Sequence, residues 1–251
     1  MRTQINGYIV ADEDAWLYRL FGYAVCSPKD IRQAVAENPP GETLTVEINS
    51  PGGSMFAGFE MYSVLLSAPC DTEAEVQSLA ASAASTAMVG CKRVKATPVA
   101  QVMVHNPAIA SEGNQYAHQK TAEDLAKFAQ SILNAYELKS NGKRTRAELE
   151  AMMNAETWFP VQDAVEAGLV DEIIGGSSLL PSQVVNAVGG GLRALSGAGG
   201  LPSAAELRAR KEAMDGAVPQ PDAGGGPPAV EPDQESERAR LAVSLSVKKY
   251  Y

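Results

Sequence analysis

The chain has 251 residues, 45% of them hydrophobic, and carries a formal net charge of −9. That length and apolar content support one domain of ordinary size with a real core, plus a tail. The acidic balance argues against nucleic acid or an anionic membrane as main partner, and no apolar stretch is long enough to span a bilayer.

Residues 1–6 lack the apolar region of a secretory signal. Cys26, Cys70 and Cys91 are too few and too scattered for a disulfide framework or a zinc site. A soluble protein of a reducing cytoplasm, with idle thiols and no metal or cofactor, is the expectation. Along the chain, residues 44–49 read as a strand that ends in the turn Ser50-Pro51-Gly52-Gly53. A helix over 55–67 follows, then a second strand over 74–79. A helix of small residues is expected from Ser85 onward, and a third strand over 99–104 ends at His105. The spacing of Leu125, Phe128, Ile132, Leu133 and Tyr136 predicts a long helix over 113–140, closed by Asn141-Gly142. Thr145 and Glu148 fit a capping box that opens another helix. A helix over 160–167 leads to a last strand over 169–174. Strand–helix alternation predicts an α/β domain with right-handed crossovers over residues 1–175. Beyond it, Gly189-Gly190-Gly191, Gly199-Gly200 and Gly224-Gly225-Gly226-Pro227-Pro228 mark residues 176–251 as a largely disordered tail, with short helical stretches at 204–214 and 235–245.

The chemistry centres on two residues. Ser85 lies in a run of small residues, where a helix N-terminus can press against a neighbouring strand with its backbone N–H groups unpaired. His105, 20 positions later in Val102-Met103-Val104-His105-Asn106-Pro107, ends an apolar strand, where a polar ring needs a reason. The pair points to nucleophilic catalysis. A packing helix and a structural histidine are the plain alternatives. His118 is the other histidine, placed on a polar helix face. The N–H of Gly53 and that of Thr86 are candidate donors to an oxyanion, each worth about 3 kcal/mol. Glu148, Glu150, Glu156 and Asp163 are all available to orient a histidine, and spacing does not choose among them.

Taken together, Ser50-Pro51-Gly52-Gly53, Ala83-Ala84-Ser85, Val102-Met103-Val104-His105-Asn106-Pro107 and Ala164-Val165-Glu166-Ala167-Gly168-Leu169-Val170-Asp171 resemble, in order and spacing, the ClpP-type serine peptidases. The bacteriophage and prophage head maturation (prohead) proteases are the branch they resemble most. The resemblance covers residues 1 to about 175. It implies a ClpP/crotonase-like fold of repeated β-β-α units, with the helix over 113–140 as a protruding handle. It also implies a Ser–His–acid triad of Ser85, His105 and Glu156, with Gly53 and Thr86 lending the oxyanion N–H groups. Ser82 falls three residues too early in that alignment. Glu156 stands where the housekeeping members carry aspartate, and Asp163 and Glu150 are its reserves. Thr86-Ala87 replaces the usual Met-Gly. The implied activity is ATP-independent endopeptidase cleavage of scaffold or capsid precursors by a homo-oligomer, inside a procapsid in a bacterial cytoplasm. On this reading Ser85→Ala abolishes cleavage. A crotonase-type acyl-CoA enzyme and a non-catalytic scaffold subunit are the competing classes.

Overall fold

The computed structural model describes residues 1–176 and 201–216. Its elements run β1 (Arg2–Ile9), α1 (Asp12–Leu20), β2 (Val25–Cys26), α2 (Pro28–Glu37), β3 (Leu44–Gly53), α3 (Met55–Leu66), β4 (Thr72–Ala81), α4 (Ala83–Met88), β5 (Arg93–Ala96), β6 (Gln101–Val104), α5 (Gln115–Ser140), α6 (Arg146–Asn154), β7 (Thr157–Pro160), α7 (Val161–Glu166), β8 (Glu172–Ile173) and α8 (Ala204–Gly216). Local chemistry explains the ends of several helices. Ser27 and Asp30 form a capping box around Pro28 at the start of α2, and Thr145 and Glu148 form the one expected at α6. The Asn114 side chain accepts from the N–H groups of Tyr116 and Ala117, and Asn141 ends α5 in the left-handed region at φ 49°.

The strands make a mostly parallel sheet in the order β2-β1-β3-β4-β5-β8. Strand β4 has two neighbours on one side. Glu73 to Val76 pair with β5, whereas Leu79 to Ala81 pair with β6. This fork turns the second half of β4 toward the site. β6 then pairs antiparallel with β7, so one hairpin-like pair departs from the parallel pattern.

Alternation builds the core. Leu44, Val46, Ile48 and Ser50 of β3 point inward, while Glu47 and Asn49 face out. Met61 and Leu65 of α3 and Ala84, Ala87 and Met88 of α4 are fully buried in the same core. A second cluster forms around α1. Leu207 of α8 is fully buried there with Val10, Ala15, Leu17 and Tyr18. The Tyr18 hydroxyl donates to the Pro202 carbonyl at 2.9 Å, and Arg208 pairs with Asp14. The sequence reading puts these residues in the tail beyond 175. Instead, residues 201–210 belong to the compact unit that begins at Met1, because Leu207 has an apolar seat on α1. The helical stretch expected over 235–245 lies outside the described residues. Among those described, no helix is long and apolar enough to cross a membrane.

Candidate active site

Strand β4 runs to Ala81, and the chain turns sharply at Ser82 before α4 begins at Ala83. Ser82 has φ 56° and ψ −126°, a conformation that L-residues rarely adopt. Its backbone is held in place by neighbours. The Ser82 N–H donates to the Met103 carbonyl at 3.1 Å, and the Ser82 carbonyl accepts from the N–H groups of Ser85 and Thr86 at 3.0 and 3.2 Å. Its side chain does not cap its own helix. The hydroxyl turns instead to His105, whose Nε2 lies 2.7 Å from Ser82 Oγ.

His105 reaches that place because β6 pairs with β4 as Ala81 with Met103. The two strands therefore end side by side, and the residues just beyond their ends meet. The same logic brings in Glu156. Val104 pairs antiparallel with Thr157, so His105 and Glu156 occupy the next position across the ladder. Glu156 also has a positive φ, 51°. Burial pushes the His105 imidazole below its ordinary 6.5, and the Glu156 charge opposes that shift. Glu156 thus acts on His105 through charge, while the ring's hydrogen bond goes to Ser82.

The turn after β3 forms the facing wall. The Gly52 N–H donates to Ser50 Oγ at 3.1 Å, tightening the turn. A Cβ at Gly52 would lie 2.7 Å from the Ala81 carbonyl oxygen and 2.8 Å from Ser82 Cβ, at a φ of 95°. Only glycine lets β3 press this closely on the serine turn. Gly53 is next, and it lines a cleft of about 560 Å³ together with Ser82, Ala83 and His105. Much of the remaining lining is apolar, from Phe56, Phe59, Leu125, Phe128 and Ile132. Phe56 meets Phe128 edge-on at 5.3 Å between ring centroids, which joins α3 to α5 across the cleft.

Two expectations need correction. Ser85 does not face His105. It is fully buried, and its Oγ lies 2.7 Å from the Ser82 carbonyl, 2.8 Å from the Met103 carbonyl and 2.8 Å from the Tyr136 hydroxyl. The helix begins two residues earlier than expected, so Ser82 takes the turn position and Ser85 points into the interior. The Thr86 N–H is likewise spent inside the helix, on the Ser82 carbonyl. Ala83 lines the cleft beside Ser82, and as first residue of α4 its N–H has no intrahelical acceptor. Of the remaining candidates, His118 is exposed on α5 and contacts Ser111 at 3.0 Å. Glu148 is committed to its capping box, Glu150 is exposed beside Gln130, and Asp163 is buried in α7. The buried thiols of Cys26 and Cys91 are pushed up to about 12 by desolvation, so both stay protonated.

A family model described as Clp protease matches residues 33–177, more than half of the chain. The chain belongs to the Clp protease family. Among curated relatives of that family, the chain is similar to an ATP-dependent Clp protease proteolytic subunit of Porphyromonas gingivalis, 26% identical over 137 residues, which is 54% of this chain and 61% of that protein. A subunit of the same description from Bacteroides fragilis is 29% identical over 137 residues, 54% of this chain and 65% of its own length. An ATP-dependent Clp protease proteolytic subunit 2 of Mycolicibacterium paratuberculosis is 31% identical over 150 residues, 56% of this chain and 70% of that subunit. The chain thus spans less than two thirds of the first two of these relatives. Its Clp-matching region holds Gly53, Ser82, Ala83, His105 and Glu156.

Proposed function

We propose that the chain is a serine-type endopeptidase in which Ser82 is the nucleophile and His105 its base. The carrying observation is the 2.7 Å approach of His105 Nε2 to Ser82 Oγ at an apolar cleft. His105 takes the Ser82 proton as Oγ attacks the carbonyl carbon of a bound peptide. The N–H groups of Gly53 and Ala83 hold the oxyanion that forms. Collapse of the tetrahedral intermediate passes the proton from His105 to the leaving amine, and a water activated by His105 then releases the acyl group from Ser82. Glu156 stabilises the transient imidazolium by charge. Family membership supports this reading, and so does the wrapping of the cleft by aromatic and aliphatic side chains, which suits an extended chain of apolar residues.

The finer assignment is to the phage and prophage head maturation branch, with scaffold or capsid precursors cut without ATP in the host cytoplasm. It rests on the resemblance of the four sequence blocks. The relatives' names specify ATP dependence, so the two readings differ in a measurable way. In the same proposal α5 serves as a handle within a homo-oligomer. This helix spans 26 residues and is buried only at Ile132, Leu133, Ala135, Tyr136 and Ser140. The test is hydrolysis of an unfolded casein and of an apolar fluorogenic peptide, with and without ATP, by wild type and Ser82→Ala. Wild type should cleave both without ATP, and Ser82→Ala should lose at least about 10³-fold with its circular dichroism unchanged. Unaltered turnover by Ser82→Ala would overturn the assignment.

A further inference from the structure

Beneath the Ser82 turn lies a buried trio of hydroxyls that the chemistry above does not use. Ser85 Oγ is within 2.7 Å of the Ser82 carbonyl and 2.8 Å of the Met103 carbonyl. Carbonyls only accept, so the single Ser85 proton is shared between these two oxygens. Tyr136, from α5, is therefore left to donate to Ser85 Oγ at 2.8 Å, with Thr86 Oγ1 farther away at 3.4 Å. Burial pushes the Tyr136 phenol up, so it keeps the proton that it donates.

The two carbonyls tied by Ser85 belong to the two halves of the site. One is the backbone of Ser82 itself. The other lies two residues before His105 and already accepts the Ser82 N–H. A residue at φ 56° and ψ −126° persists only when its surroundings fix it. Ser85 grips the Ser82 peptide on its carbonyl side, and Met103 grips it on the amide side. We propose that Ser85, braced by Tyr136, is a positioning residue that locks the serine turn onto strand β6 and sets the Ser82–His105 approach. This inference rests on Ser82 being the nucleophile. It gives a role to a fully buried hydroxyl in an alanine-rich stretch: an alanine at 85 would remove the side-chain bonds to both carbonyls and leave the link between the turn and β6 to the strand pairing and the Ser82 N–H.

The experiment measures kcat and KM for an apolar peptide, and the rate of Ser82 acylation by a fluorophosphonate, in wild type, Ser85→Ala, Tyr136→Phe and the double variant. Tyr136→Phe keeps the ring and its packing, so it guards against a Ser85→Ala protein that fails to fold. The expected result is a fall in kcat and in acylation rate of about 10–100-fold for Ser85→Ala, because small misplacements of reacting groups cost on that order. A smaller fall is expected for Tyr136→Phe, with KM within about 2-fold of wild type. The double variant should lose no more than Ser85→Ala alone, since Tyr136 acts through Ser85. Wild-type kcat in folded Tyr136→Phe and Ser85→Ala would overturn the inference, and so would losses that appear in KM alone. An adduct on Ser85 in wild type would instead overturn the nucleophile assignment, so the two failures are distinguishable.

Discussion

Burial sets the working state of His105. Desolvation disfavours the imidazolium, so the ring is neutral and ready to take a proton at and somewhat below its ordinary 6.5. The folded protein binds that proton less readily than the unfolded chain, so charging His105 as pH falls costs stability as well as activity. Acylation should therefore decline on an acidic limb centred below 6.5. Glu156 opposes the burial effect, so Glu156→Gln should move the limb to still lower pH and should also slow kcat. A limb that moves upward in Glu156→Gln would contradict the electrostatic role given to this carboxylate. The same scale shows why the serine was hard to place. The triplet Ala-Ala-Ser occurs twice in succession, at residues 80–82 and 83–85, and both copies read alike in composition. What separates them is the backbone. β4 continues to Ala81, so the strand-to-helix turn falls at the first copy, and the second lies one helical turn inside. Counting the strand through Ala80 and Ala81, rather than ending it at Leu79, is the sequence signal that favours Ser82.

At the scale of elements, the site is assembled by strand ends. The fork of β4 between β5 and β6 and the antiparallel β6–β7 pair bring Ser82, His105 and Glu156 together from three stretches of chain. Strands β3 and β4 and helices α3, α5 and α6 were legible because alternation, helical spacing and caps are written over enough residues to show. Strands β5 and β7 were not. Each has only four residues, too few for an alternation to stand out from chance, and β7 ends in Pro160. The seat of α8 was illegible for another reason: its fully buried residue is Leu207, and its partners lie almost the whole domain away in sequence. Deleting that side chain should cost about 2–4 kcal/mol locally. In Leu207→Asp, trypsin should cut after Arg208 and Arg210 markedly faster than in wild type, while cuts at Lys92 and Arg93 keep their rates. Equal cutting at Arg208 and Arg210 in both proteins would show that α8 is not held by this contact.

For the molecule as a whole, a mostly parallel α/β domain supports one cleft chemistry at the ends of its strands. The blocks that resemble the ClpP-type peptidases recover the family and the neighbourhood of the site. They do not fix which serine acts, because block similarity is indifferent to a shift by one triplet. The proposed substrates belong to this scale too, and their cleavage depends on a functional Ser82. The most direct test is fluorophosphonate labelling of the intact wild-type chain, Ser82→Ala and Ser85→Ala, with the modified serine located by fragment-ion mass spectrometry. The account predicts one adduct on Ser82 in wild type, its loss in Ser82→Ala and its slower but continued formation in Ser85→Ala. An adduct on Ser85, or undiminished labelling of Ser82→Ala, would contradict it.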